Sequence, residues 1–153
     1  MNNFVWGNAR LQNYETICGG TGAGPDFDGC SAIQTHMTNT RSTDPEVLEW
    51  RFPVRVEEFS IRRGSGGKGR HTGGDGITRK VRFLEEMTVT TLCSHRRVPP
   101  FGVAGGAPGE VGKEWIERAD GTVTPHKGND QNQVHPGDLF VMQTPAGGGY
   151  GKA

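Results

Sequence analysis

No window of this 153-residue chain holds eighteen consecutive apolar residues, so no membrane-spanning helix is predicted. Net charge is also absent: 17 basic residues balance 17 acidic ones. That balance argues against a general polyanion binder, and no nucleic-acid partner is expected. The three cysteines, Cys18, Cys30 and Cys93, form no CxxC pair. Three free thiols fit a reducing, cytoplasmic setting, and the N-terminal residues lack the charged and apolar regions of a secretion signal. Core-forming residues are few, Leu, Ile, Val and Phe making up about 19% of the chain. Zero net charge nonetheless keeps that composition on the folded side of the disorder boundary.

Glycine is plentiful instead, at 25 residues, with 9 prolines. Residues 1–43 are dense in breakers and predict ordered loop with short strands. Thr43-Asp44-Pro45-Glu46 supplies an N-cap, a proline in the first turn and an acidic residue, starting a helix of about two turns that Pro53 ends. From Pro53 the apolar period becomes two. Val54 and Val56 share one parity, Phe59 and Ile61 the other, which predicts a β-bulge near Glu57-Glu58. Ile77, Val81 and Phe83 alternate, as do Met87, Val89 and Cys93. Pairing these two odd-numbered sets as a hairpin requires an odd loop, Leu84-Glu85-Glu86. Asp120-Gly121 between two short strands predicts a type I′ hairpin, and His135-Pro136-Gly137-Asp138 a turn before a last strand at 139–144. The expected fold is mainly β: antiparallel sheets with long Gly-rich loops and one or two short helices, in a single domain spanning 1–153.

Familiar catalytic signatures fail one after another. Gly64-Ser65-Gly66-Gly67-Lys68-Gly69 spells GxGxxG after a strand, but His71-Thr72-Gly73-Gly74-Asp75-Gly76 cannot begin the helix that a dinucleotide site needs. A Walker A loop fails because Gly69 follows Lys68 where Ser or Thr is required. The cations Arg62, Arg63, Lys68, Arg70 and His71 among those glycines suit either an anion cradle or a connection with solvated charges. The five histidines (His36, His71, His95, His126, His135) form no HxH, HxxxH or HExxH set, so no metal site is predicted. His95, sharing parity with Cys93, reads as a half-buried strand residue bonded to backbone. The polar run 26–41 is either a hydrogen-bonded loop packed on the sheet or a binding surface.

Three ordered blocks then carry a resemblance. Asn13-Tyr14-Glu15-Thr16-Ile17-Cys18-Gly19-Gly20-Thr21-Gly22-Ala23-Gly24 leads through Asp28-Gly29-Cys30-Ser31-Ala32 into His36-Met37-Thr38-Asn39-Thr40-Arg41-Ser42-Thr43-Asp44-Pro45-Glu46. Arg62–Gly69 with Gly73–Gly76, and Pro136-Gly137-Asp138 with Thr144–Gly151, complete the series. Together they resemble the hydantoinase B/5-oxoprolinase family, which also holds the large subunits of acetone and acetophenone carboxylases. The resemblance covers the C-terminal portion of a longer family chain. It implies ATP-dependent opening of a cyclic amide such as N-methylhydantoin or 5-oxoproline, with a carboxylase role or a non-catalytic anion-binding module as alternatives. ATP and Mg2+ would bind elsewhere, on a hydantoinase A-like subunit or domain, leaving this chain inactive alone. An exposed apolar patch and a homo-oligomer are expected of a domain parted from its neighbours.

The site is expected where the 26–41 and 62–76 loops meet. Asp28, His36 and Asp75 are the catalytic candidates, with Asp28 and His36 orienting substrate or water. Asn39 and Arg41 would bind carbonyl or carboxylate oxygens. Gly64, Gly66 and Gly69 would let backbone approach a substrate.

Overall fold

The computed structural model describes residues 1–35 and 38–153. Among them are nine strands and one helix: β1 (Asn2–Gly7), β2 (Gln12–Thr16), α1 (Pro45–Arg51), β3 (Val54–Ile61), β4 (Ile77–Phe83), β5 (Met87–Cys93), β6 (Lys113–Glu117), β7 (Val123–His126), β8 (Asn129–Val134) and β9 (Leu139–Gln143). Every strand pair is antiparallel, in one sheet ordered β2-β1-β5-β8 and another ordered β3-β4-β9-β6-β7. Among the described residues no helix is long and apolar enough to cross a membrane.

The sheets share one core. Phe4 of β1 stacks on Phe140 of β9 with ring centroids 4.8 Å apart, and Trp6 meets Phe83 edge-on at 5.7 Å. Each fully buried aliphatic or aromatic side chain contributes about 1.5–3 kcal/mol, so a compact set of such residues holds an otherwise loop-heavy chain. The bulge falls where the parity change puts it: Val56 pairs with Val81 and Glu58 with Lys80, so Glu57 is the extra residue. That slip returns Phe59 and Ile61 to the face of Val54 and Val56.

Helix α1 starts as its sequence directs, the Asp44 carboxylate accepting from the Glu46 N–H at 2.9 Å with Pro45 in the first turn. It buries Leu48 and ends at extended Phe52, before Pro53. Glu49 then accepts from the Val56 N–H at 2.8 Å, occupying a donor on the free edge of β3.

Two turn expectations need correction. β4 and β5 are not hairpin partners: β4 lies between β3 and β9, and β5 between β1 and β8. Residues 84–86 carry the chain from one sheet to the other, so Phe83 and Met87 share the core from opposite sides. The β6–β7 hairpin is not type I′. Arg118 pairs with Thr122, Gly121 donates to the Arg118 carbonyl at 2.9 Å, and of the central residues only Gly121 has positive φ, +87°. This is a type I turn with a following left-handed glycine, a three-residue loop.

Candidate functional site

At one end of the sheets four glycine-rich segments pack backbone against backbone. The Gly74 N–H donates to the Thr21 carbonyl (2.9 Å), Gly147 to Gly74 (2.8 Å), and Gly67 to Gly147 (2.8 Å). Ala107 donates to Lys68 at 2.7 Å and Gly149 to Ala107 at 2.9 Å. A Cβ on Gly147 would lie 1.6 Å from the Thr21 oxygen, so glycine is obligatory there. The aperiodic tail is therefore buried at Gly147–Gly149.

The 64–69 segment shows what its glycines do. No helix follows it. A Cβ on Gly66 would meet the Gly73 oxygen at 1.9 Å, and one on Gly69 the Tyr150 oxygen at 2.7 Å. Both glycines are filled by the chain's own backbone. Gly64 is open, with φ +81° and nothing within 4 Å of the point a side chain's first carbon would occupy. Arg62 turns inward, donating to the Val111 carbonyl at 2.8 Å and pairing with Glu110, whereas Arg63, Lys68 and Arg70 are exposed.

The two expected loops do meet. Asp28 Oδ1 accepts from the Thr72 N–H at 2.6 Å and lies 3.6 Å from His71 Nδ1. Asp75 Oδ1 accepts from the Gly66 N–H at 2.8 Å, and the Asp75 N–H donates to Ser31 Oγ at 2.9 Å. Both carboxylates thus hold loop backbone in place. Asn39 and Arg41 are exposed, without side-chain partners among the described residues, and His36 lies outside those residues. Gln34 ties the polar run to β2 by donating to the Thr16 carbonyl at 2.7 Å.

A cavity of about 440 Å³ opens beside this glycine layer, walled by Met1, Asn2, Thr38 and residues of segments 17–23, 33–35, 95–103 and 145–148. Among its described lining residues there is no Asp, Glu, Lys or Arg. Ile33, Pro100 and Phe101 give it apolar walls, and Gln34, Thr21 and His95 give it polar ones. His95 is neither a strand residue nor half-buried: β5 ends at Cys93, and His95 is exposed, with φ +56°. Its Nδ1 lies 3.0 Å from the Val98 carbonyl, which can only accept. In the neutral ring the proton is therefore on Nδ1, and Nε2 keeps its lone pair. Strain of this kind in a non-glycine residue beside a cavity is a functional signal, and strand parity concealed it.

A family model described as Hydantoinase B/oxoprolinase matches residues 1–153. The chain belongs to the hydantoinase B/oxoprolinase family. The 5-oxoprolinase of Dictyostelium discoideum is 44% identical over 152 residues, covering 99% of this chain and 12% of that protein. The 5-oxoprolinase of Saccharomyces cerevisiae is 47% identical over 146 residues, covering 91% and 11%. This hydantoinase B/oxoprolinase chain therefore spans about an eighth of the length of these two 5-oxoprolinases. In fold it is similar to an ATP-dependent caprolactamase from Pseudomonas jessenii, with a TM-score of 0.76 and 24% identity, covering 98% of this chain and 28% of that one.

For a hydantoinase B/oxoprolinase chain, the thiols offer little. Burial raises the pKa of Cys18 and pushes Cys93 up to about 11, which keeps both protonated near neutrality. Among the described residues no three His, Cys, Asp or Glu side chains gather as metal ligands. What the arrangement does offer is a half-apolar chamber without acidic or basic side chains on its described wall, with a histidine acceptor among its lining residues.

Proposed function

We propose that residues 1–153 act as one domain of a cytoplasmic, ATP-dependent hydrolase that opens cyclic amides of the 5-oxoproline or N-methylhydantoin type. The reading rests on 44% identity to a 5-oxoprolinase across nearly the whole chain. An amide carbonyl is a poor electrophile. Phosphorylating its oxygen makes that oxygen a leaving group, after which water can attack the ring carbon. ATP and Mg2+ belong, in this proposal, to a hydantoinase A-like subunit or domain. The glycines at 66, 67 and 69 agree with that division, because their open faces are taken by backbone of the same chain rather than left for phosphate. A cavity whose described wall has apolar groups and no acidic or basic side chain suits the neutral ring of such a substrate.

The test is ATP hydrolysis and ring opening with 5-oxoproline and with N-methylhydantoin, by the chain alone and after adding the ATP-binding part of the enzyme. Silence alone followed by turnover on complementation is expected. Turnover by the chain alone, or none after complementation, would sink the reading.

A further inference from the structure

Two backbone donors at the cavity have nothing to donate to. Neighbouring N–H groups of the glycine layer are taken: Gly20 donates to Pro145, Thr21 to Cys30, Ala23 to Gly148, Gly147 to Gly74 and Gly149 to Ala107. The N–H groups of Gly22 and Gly148 find no acceptor among the described residues, and both residues line the cavity. Gly22 is exposed and its N–H can meet solvent, whereas Gly148 is buried, and an orphaned N–H on a buried residue is rare enough to call for a partner from outside the chain. The same cavity holds the opposite function in His95. Its Nδ1–H is committed to the Val98 carbonyl, so Nε2 of the neutral ring is an acceptor without a donor. No Asp, Glu, Lys or Arg side chain is among the described lining residues, and the Met1 ammonium, which also lines the cavity, donates to Ser94 Oγ at 2.9 Å.

We propose that the cavity recognises one cis-amide edge of a small ring: the ring carbonyl accepts from the Gly22 and Gly148 N–H groups, and the adjacent ring N–H donates to His95 Nε2. A lactam or imide presents that acceptor and donor side by side, locked cis by the ring. A ring methylated at that nitrogen, a linear secondary amide in its trans form or a simple carboxylate does not offer both on one edge. Phe101 and Pro100 would cover the ring's apolar face. The inference rests on the cyclic-amide reading above and goes beyond it by naming the groups that select an N–H amide. An N-methyl group removes the donor and sets a carbon where His95 Nε2 would accept, so the N-methyl ring should bind more weakly.

The probe is 2-pyrrolidone against N-methyl-2-pyrrolidone, titrated into the nitrogen-15-labelled chain and followed in amide-proton spectra. The Gly22 and Gly148 amide protons should move downfield with 2-pyrrolidone, with affinity at least tenfold higher than for the N-methyl ring. In His95→Gly, chosen because glycine accepts the positive φ, the glycine shifts should persist while the tenfold preference disappears. Equal affinity of the two rings for the unaltered chain, or saturation without movement of either glycine amide, would overturn the proposal. So would a preference that survives in His95→Gly. None of these outcomes bears on ATP-coupled turnover after complementation, and loss of that turnover would leave the two glycine shifts standing.

Discussion

Glu15 of β2 and Arg79 of β4 form an ion pair across the two sheets, Oε1 to Nη2 at 2.8 Å, with side chains only 6% and 1% exposed. Burial raises the pKa of Glu15, and Arg79 opposes the rise. Arg79 also lies 4.9 Å over the Phe59 ring. Its Nε and Nη1, and Oε2 of Glu15, have no partner among the described residues. Such a pair is costly to bury and costlier to halve. Arg79→Met alone should lower the unfolding free energy by about 3–5 kcal/mol, while the double replacement Arg79→Met with Glu15→Met should recover most of that loss. Urea unfolding of the three proteins reads the difference. A single variant as stable as the parent would show that the pair does not hold the sheets together.

His126 of β7 makes another cross-sheet polar contact. Asn132 donates to Nδ1 at 2.8 Å, and Nε2 lies 2.9 Å from Thr91 Oγ1, whose own proton goes to the Lys127 carbonyl. This network takes a neutral ring. Burial lowers the pKa of His126, and Asp130 opposes the shift. The folded state thus binds fewer protons at this residue than the unfolded state. Its contribution should be full above about pH 6.5 and decline as pH falls below that. Comparing the parent with His126→Gln, the stability difference should be about 1–3 kcal/mol at pH 7.5 and smaller at pH 5. A difference that stays constant between these pH values would place the proton elsewhere.

How much of this could be read from the letters depends on what each residue contacts. The bulge at Glu57 was legible because a side chain's face is written in its parity, and Phe59 and Ile61 break the parity of Val54 and Val56. The partner of a strand is not written there. Phe83 and Met87 both announce a buried face, yet they enter the core from different sheets, so the hairpin expected between them does not exist. The glycine layer has no periodicity at all, since its contacts are backbone to backbone. That same packing sets the chain's own backbone against Gly66 and Gly69, where close approach of a substrate is the expectation from sequence. His95 stayed hidden because its distinguishing property is a backbone angle, +56°, rather than a neighbour in sequence.

The three free cysteines should separate sharply in reactivity. Cys30 is exposed, Cys18 is buried and Cys93 is half-buried. The latter two are further disfavoured by thiol pKa values raised by burial, to about 11 at Cys93. With a disulfide reagent at pH 7.5, one thiol should react quickly and the other two only after denaturant is added. Cys30→Ser should abolish the fast phase. Fast release of two or three equivalents from the folded chain would mean that the core around Cys18 and Cys93 opens readily.

Glycine substitutions should discriminate between the packed layer and the cavity wall. Gly147 and Gly22 lie close together, yet a Cβ on Gly147 would sit 1.6 Å from the Thr21 oxygen, whereas one on Gly22 would find only the Gly148 oxygen, 3.8 Å away. The first contact is with backbone and has no flexible end to yield. Gly147→Ala should therefore cost at least about 3 kcal/mol or prevent folding. Gly22→Ala meets only an ordinary van der Waals contact, and its φ lies outside the left-handed region, so stability should change by about 0.5 kcal/mol or less. Thermal unfolding of the two variants checks the contrast. If Gly147→Ala proved as stable as Gly22→Ala, the layer would have to be loose enough to part by the width of a methyl group. The Gly22 and Gly148 donors would then not be held at a fixed separation for a carbonyl oxygen.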